Sequence, residues 1–277
     1  MARMLIFGLG YTAGRLAARL RTEGWHIDAT GEAGNLGFAD EAAVKAALSR
    51  ASHVLSSVPP GEGDPVLARY GEALRAGGKW IGYLSSTGVY GDTGGAWADE
   101  SAPLGGGRRG VRTAADAAWL ELGAHAFRLP GIYGPGRSVF ERIRDGAAQR
   151  IDLPGQVFSR VHVDDIVSGV IAAFAAPAGA YNLSDDLPSS QNAVIEEACR
   201  LLGIALPPLQ PLDEAGLSPQ ARGFYSESRR IANGKAKRVL GWRPAFPTYR
   251  EGLRALNAIT IPSRASTAPQ PASSDQR

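Results

Sequence analysis

Gly8-Leu9-Gly10-Tyr11-Thr12-Ala13-Gly14 decides the fold of this chain. The apolar run Leu5-Ile6-Phe7 ahead of it reads as a parallel strand covered on both faces. Behind it, Ala13, Leu16, Ala17 and Leu20 recur at the spacing of one helix face. A strand that breaks at GxGxxA and opens a helix is the required setting of a dinucleotide-binding turn. Gly8 permits the tight turn, Gly10 leaves room for a pyrophosphate at the backbone, and Ala13 or Gly14 lets the helix pack closely on the strand. The bare helix start at Tyr11 and Thr12 offers N–H donors and the positive end of the helix dipole to an anion. Gly8, Gly10, Tyr11, Thr12, Ala13 and Gly14 are the candidate cofactor-binding residues of this turn.

Outward from the turn the alternation repeats. Gly24 ends the first helix, and Trp25, Ile27 and Ala29 alternate with polar residues as a second strand. Helix 41–48, strand 53–58, and a helix opened by Asp64-Pro65 and closed by Gly77-Gly78 come next. Strand 80–85, a helix over 112–122 and strand 124–129 complete the run. The pattern predicts an α/β chain with a Rossmann doubly wound parallel sheet, ligands lying outside the carboxyl ends of its strands.

Beyond Pro130 the punctuation is denser. Asp164-Asp165 precede an apolar helix over 166–175, which they are expected to cap, and Tyr181-Asn182-Leu183 reads as a late strand. Helices are expected at Gln191–Leu202 and from Asn233 to Gly241, with 206–211 as a connector. The organisation expected is a Rossmann domain over 1–175 and a smaller C-terminal α/β substrate domain over 176–260. The 131–160 loop region contributes to the second, and the Ser/Ala/Pro/Gln tail 261–277 is expected to be disordered.

Composition narrows the function. Hydrophobic residues at 44% and charged ones at 21% of 277 exclude a disordered or fibrous chain. Gly numbers 35, against about 19 at average usage of ~7%. Cys199, the single cysteine, excludes a disulfide framework and reads as a small buried hydrophobe. No His/Asp/Glu cluster has metal-ligand spacing, so no metal is expected. A net charge of +3 is too small an excess to argue for nucleic acid. No apolar run approaches the ~20 residues that span a bilayer, and Met1-Ala2-Arg3-Met4 leads straight into a strand without a signal peptide. The expectation is a cytoplasmic protein acting on a small molecule, with neither nucleic acid nor membrane as partner.

The ribose partner is expected about twenty residues beyond the turn. Asp28 falls inside the second strand and Glu32 in the loop after it. No Arg lies between Asp28 and Asp40 to receive a 2′-phosphate, which favours NAD over NADP, although Arg15 could serve NADP.

Four stretches together resemble one family. They are the Gly8–Gly14 turn, Leu84-Ser85-Ser86-Thr87-Gly88-Val89-Tyr90-Gly91, Arg128-Leu129-Pro130-Gly131-Ile132-Tyr133-Gly134-Pro135-Gly136-Arg137, and Val161-His162-Val163-Asp164-Asp165. In their order and spacing the chain resembles the extended short-chain dehydrogenase/reductases, the NAD-dependent epimerase/dehydratase family, over residues 4 to about 255. The resemblance implies a nicotinamide dinucleotide, a small-molecule substrate such as a nucleotide sugar, and a homodimer as one oligomeric option. It also implies a catalytic Ser or Thr after a central strand and a Tyr-x-x-x-Lys pair on the next helix. In that arrangement Lys depresses the Tyr pKa for proton exchange with substrate.

Ser86 matches the Ser/Thr position, but the pair is missing. Aligned on Asp116, Tyr-x-x-x-Lys becomes Arg108-x-x-x-Arg112, and Arg does not deprotonate in proteins. Arg112 is a candidate for the ribose-binding part of the Lys role, or an exposed helix residue. Tyr133, on a loop leaving a strand, is the candidate relocated acid; Tyr90 reads as packing. The turn Ser57-Val58-Pro59 is expected to touch the dinucleotide, and the Gly105 to Gly110 loop to be a lid or a disordered connection. His162 reads as structural, and Asp164 and Asp165 as pointing apart. Arg137, Arg222 and Arg229 are candidates for an anionic substrate group. Two functions remain open: an oxidoreductase, epimerase or dehydratase with an altered centre, and a non-catalytic dinucleotide sensor that regulates a partner.

Overall fold

Met4, Leu5, Ile6 and Phe7 are all buried, as a strand covered on both faces requires. Their side chains alternate between two apolar layers. Met4 and Ile6 join the layer of Ala13, Leu16, Leu20, Ile166 and Val170, whereas Leu5 and Phe7 join that of Val44, Leu48, Val66, Tyr70 and Trp119. A computed structural model describes residues 1–105 and 110–260 of the chain. The 106–109 part of the glycine loop and the tail 261–277 lie outside the described residues.

The first half runs β1 (Arg3–Phe7), α1 (Tyr11–Thr22), β2 (His26–Ala29), α2 (Glu41–Arg50), β3 (His53–Ser56), α3 (Pro65–Arg75), β4 (Trp80–Ser86), β5 (Trp97–Ala98), α4 (Gly110–Glu121) and β6 (His125–Leu129). The second runs β7 (Gly131–Tyr133), α5 (Val139–Arg144), β8 (Arg150–Asp152), β9 (Arg160–His162), α6 (Val163–Ala172), β10 (Gly179–Asn182), α7 (Gln191–Leu202), β11 (Leu209–Pro211), α8 (Pro219–Tyr225), β12 (Arg230–Ile231), α9 (Gly234–Val239) and α10 (Tyr249–Thr260).

Six strands form one parallel sheet in the order β10-β6-β4-β3-β1-β2. The chain steps outward from β1 to β2 and returns across β1 to β3, so the direction of winding reverses between β1 and β3. Helices α1 and α6 cover one face and α2, α3 and α4 the other, the doubly wound arrangement. Ligands of such sheets lie in the crevice at that reversal, beyond the carboxyl ends of the strands.

The sixth strand, β10, carries the sheet past residue 175. Pairs β7·β9, β8·β11 and β5·β12 make three small parallel ladders beside it. The connector over 206–211 is in part a strand, pairing with β8. Helices α5, α7 and α10 close over Tyr133, Phe140, Ile195 and Leu253, and Cys199 is buried among them.

Candidate functional site at the β1–β3 crevice

Gly8 sits at φ +83°, and a Cβ there would lie 2.9 Å from Val58 Cγ2, so the position requires glycine. The turn is held from both neighbouring strands. The Gly8 amide donates to Thr30 Oγ1 at 3.1 Å and the Leu9 amide to the Thr30 carbonyl at 2.8 Å, while Ser57 Oγ donates to the Gly8 carbonyl at 2.8 Å. Helix α1 then starts with Gly10 in the cap position and no side chain bonded to its first turn. Asp40, Asp64, Ser138 and Ser190, by contrast, cap α2, α3, α5 and α7 with side-chain oxygens. The first amides of α1 are left without intrahelical partners. A Cβ on Gly10 would meet no atom within 4 Å, so open space stands where a pyrophosphate would approach. The same is true of Gly14, and the close packing falls to the buried Ala13.

Two cavities meet over this helix end and share Gly10 and Ser57. One, about 830 Å³, is walled by apolar groups of Leu9, Ala33, Phe38, Val58 and Pro59, and Glu32 is its single charged lining residue. The other, about 680 Å³, is lined by Tyr11, Thr12, Ser86, Arg112, Pro130 and Arg137 among others. Asp28 does not compete with Glu32. It is buried in β2, where Oδ1 accepts from Asn35 Nδ2 at 3.0 Å and stands 3.4 Å from His26 Nε2. Arg15 is also committed, its Nε and Nη2 donating to Asp164 Oδ1 at 3.1 and 2.6 Å. To serve a 2′-phosphate Arg15 would have to leave this half-exposed ion pair. Phe38 and Pro65 were not anticipated in this cavity, because their contribution depends on how the β2–α2 loop and the start of α3 fold back.

Ser86 and Arg112 are brought to the same cavity. Ser86 Oγ accepts from the Gly88 amide at 3.1 Å, which leaves its proton for a ligand. Arg112 has no hydrogen bond or ion pair among the described residues; Arg108 lies outside them. Tyr133 does not line this cavity but the smaller one that meets it at Gly131, and its candidate role as relocated acid gains no support from its position. Its hydroxyl points onto α10 at Gly252, is buried and has no partner among the described residues. Burial, reinforced by Asp185 and Asp165, pushes its pKa far above the usual phenol value.

Tyr90 is structural. Its hydroxyl donates to Asn182 Oδ1 at 2.7 Å and accepts from Arg128 Nη1 at 3.0 Å. Arg128 Nη2 pairs with Asp116 Oδ2 at 2.7 Å, and Ser85 Oγ donates to Asp116 Oδ1 at 2.5 Å. This buried chain ties the end of β4, next to Ser86, to α4 one turn beyond Arg112. The sequence signal for it is Arg128 between the apolar Phe127 and Leu129 of β6, where a buried guanidinium needs an acid.

Of the three arginines expected to meet an anion, one remains free. Arg229 pairs with Glu227 at 2.9 Å and donates to the Gly91 carbonyl, and Arg222 donates to the carbonyls of Leu217 and Asp213. Arg137 stacks over the Tyr11 ring at 5.6 Å with no ion pair among the described residues. His162 is itself the cap of α6, its Nδ1 accepting from the Asp164 amide at 3.2 Å, and burial lowers its pKa. Asp164 and Asp165 therefore lie in the first turn of α6 and do not cap it. They do diverge, Asp164 to Arg15 and Asp165 to the amides of Ala245 and Phe246.

No family model matches the sequence. A "3-diazoavenalumate denitrifying reductase" from Streptomyces sp is 32% identical over 148 residues, 48% of this chain and 47% of that protein, so the match spans about half of the curated relative. Among solved structures, a functionally unknown conserved protein from Silicibacter pomeroyi DSS is 42% identical, covers 94% of this chain and 99% of its own, and superposes with a TM-score of 0.83. Human epimerase family protein SDR39U1 (isoform 2) with NADPH is 15% identical, with 92% and 99% covered and a TM-score of 0.74. MoeE5 in complex with UDP-glucuronic acid and NAD is 20% identical, with 94% and 99% covered and a TM-score of 0.72.

Proposed function

We propose that this chain, which belongs with the Silicibacter pomeroyi protein in one family and has the fold of NAD-dependent epimerases/dehydratases and short-chain dehydrogenase/reductases, is a nicotinamide-dinucleotide-dependent reductase. The observation that carries the proposal is the pair of cavities joined across the uncapped start of α1. The apolar cavity suits an adenine, and the first amides of α1, with Gly10 out of the way, suit a pyrophosphate. Glu32, which lines the same cavity, would accept from a ribose diol. With no Arg or Lys lining that cavity, NADH is preferred to NADPH.

The cofactor, when bound, supplies hydride. The chain's own part is to hold the acceptor. Ser86 would donate a hydrogen bond from its free hydroxyl to an acceptor atom that takes its proton from water, and Arg112 sets a fixed positive charge in the same cavity. Reduction is favoured over epimerisation because epimerisation of a sugar begins by removing a hydroxyl proton. Among the lining residues of this cavity the one phenol, Tyr11, donates to the Pro135 carbonyl at 3.0 Å, and its pKa is raised by burial. The reductase named above, matching half of this chain, points the same way.

The second reading is a dinucleotide-binding regulatory protein. The orientation of Tyr133 away from Ser86 favours it. Calorimetric titration with NADH and NADPH, followed by incubation of the NADH complex with a small-molecule extract, separates the two. NADH oxidation that disappears in Ser86→Ala and Arg112→Ala supports the reductase. Binding without oxidation supports the regulator, and binding of neither dinucleotide refutes both.

A further inference from the structure

Beyond Ser86 the 680 Å³ cavity opens at Gly131 onto two smaller ones of about 130 and 210 Å³. Their common wall is aromatic. The rings of Phe158 and Phe224 stack with centroids 4.2 Å apart at 12°, and Tyr225 meets Phe158 edge-on at 5.8 Å. Phe224 is 43% exposed, so a large flat apolar surface is left at the mouth.

The larger of the two cavities is lined by Arg137, Arg142 and Arg160 and by no carboxylate. Arg160 is fully engaged, donating to the carbonyls of Phe158, Ser189 and Ser190 and to Gln191 Oε1. Arg142 spends one N–H on the Ala147 carbonyl at 3.2 Å, and Arg137 has no ion pair among the described residues. Two arginines, Arg137 and Arg142, thus line one small space beside an exposed aromatic face.

Building on the reductase reading, we infer that the substrate is a small planar conjugated carboxylate. Its flat face lies against Phe224 and its carboxylate between Arg137 and Arg142. Guanidinium groups match carboxylates by paired N–H donors, and aromatic faces favour flat π-systems. Size favours this class over a nucleotide sugar, which would have to extend beyond the small cavity. Pockets for drug-sized ligands run ~300–1,000 Å³, and 210 Å³ accepts a fragment, not a nucleotide joined to a sugar.

The test is calorimetric titration of the full chain, first with NADH and then, at saturation, with cinnamate, cinnamyl alcohol or UDP-glucose. Cinnamate is expected to bind at least about tenfold more tightly than the alcohol, since charged hydrogen bonds are lost with the carboxylate. Arg142→Ala, at an exposed position, should weaken cinnamate by about tenfold and leave NADH affinity unchanged; Phe224→Ala should weaken cinnamate and the alcohol alike. UDP-glucose binding more tightly than cinnamate, or cinnamate affinity indifferent to Arg142→Ala, overturns the inference. NADH binding without cinnamate binding strikes the carboxylate alone. Absence of both NADH and NADPH binding strikes the reductase reading as well.

Discussion

The Ser57 hydroxyl donates a 2.8 Å hydrogen bond to the Gly8 carbonyl, joining the end of β3 to the turn that leaves β1. The two residues stand on either side of the reversal in the sheet order. Thr30 holds the same turn from β2 through the Gly8 and Leu9 amides. Three strands therefore fix the shape of the turn before any ligand reaches it, which is the preorganisation an anion site needs.

Gly8→Ala should damage the fold and not only the site. A Cβ there meets Val58 Cγ2 at 2.9 Å in a backbone conformation of φ +83°. Left-handed strain of ~1–2 kcal/mol and overpacking of ~1–3 kcal/mol add to a loss of roughly 2–5 kcal/mol in urea unfolding. A variant as stable as wild type contradicts this reading of the turn.

Asp116→Ala should cost about 3–5 kcal/mol, because it strands Arg128 as an uncompensated buried charge. The two side chains are 0% and 2% exposed and meet at 2.7 Å. Equilibrium unfolding measures it, and a change below about 1 kcal/mol would show the pair to be solvated.

Tyr133→Phe should leave turnover unchanged and stability equal or higher by up to about 1 kcal/mol, since the hydroxyl is buried without a partner among the described residues. A fall in turnover of about 100-fold, the scale of a lost general acid, would restore Tyr133 as the proton donor.

The contribution of Asp185 and Asp165 to stability should fall as pH rises from about 4 to about 8. Burial outweighs nearby Arg160 and raises the Asp185 carboxyl to about 8, and Asp165 is raised to about 6 by burial. Unfolded, an Asp titrates near ~3.9. Between these values the folded chain keeps protons that the unfolded chain has released, so the contribution is complete at low pH and lost as pH climbs. Asp185→Asn should flatten that slope in urea unfolding at a series of pH values; an unchanged slope counts against it.

Much of the fold was legible because it rests on local pattern. The strand–turn–helix at Gly8, the Asp64-Pro65 start of α3 and α7 at Gln191–Leu202 follow from spacing and capping chemistry within a few residues. The centre was less legible because its decisive contacts are distant in sequence. Tyr133 turns away from Ser86 because Gly252, on the last helix, leaves room for its ring. Asp116, Arg128, Tyr90 and Asn182 link into one chain only once β4, β6 and β10 pair. His162 displaces the two aspartates as the cap of α6 through a ring nitrogen, a donor–acceptor choice that depends on its burial between Tyr133 and Phe246.

The most direct measurement is the titration of NADH, followed by its fluorescence, into wild type and Gly10→Val. A Cβ on Gly10 touches nothing, so the variant should still fold, at a cost of no more than about 2 kcal/mol because Val is a poor helix cap. Its side chain would nevertheless fill the space left for a pyrophosphate over α1. Saturable NADH binding by wild type, weakened at least about tenfold in Gly10→Val, is the expected result. No binding of NADH or of NADPH by wild type, or equal NADH binding by both proteins, would contradict the assignment of this crevice to a dinucleotide.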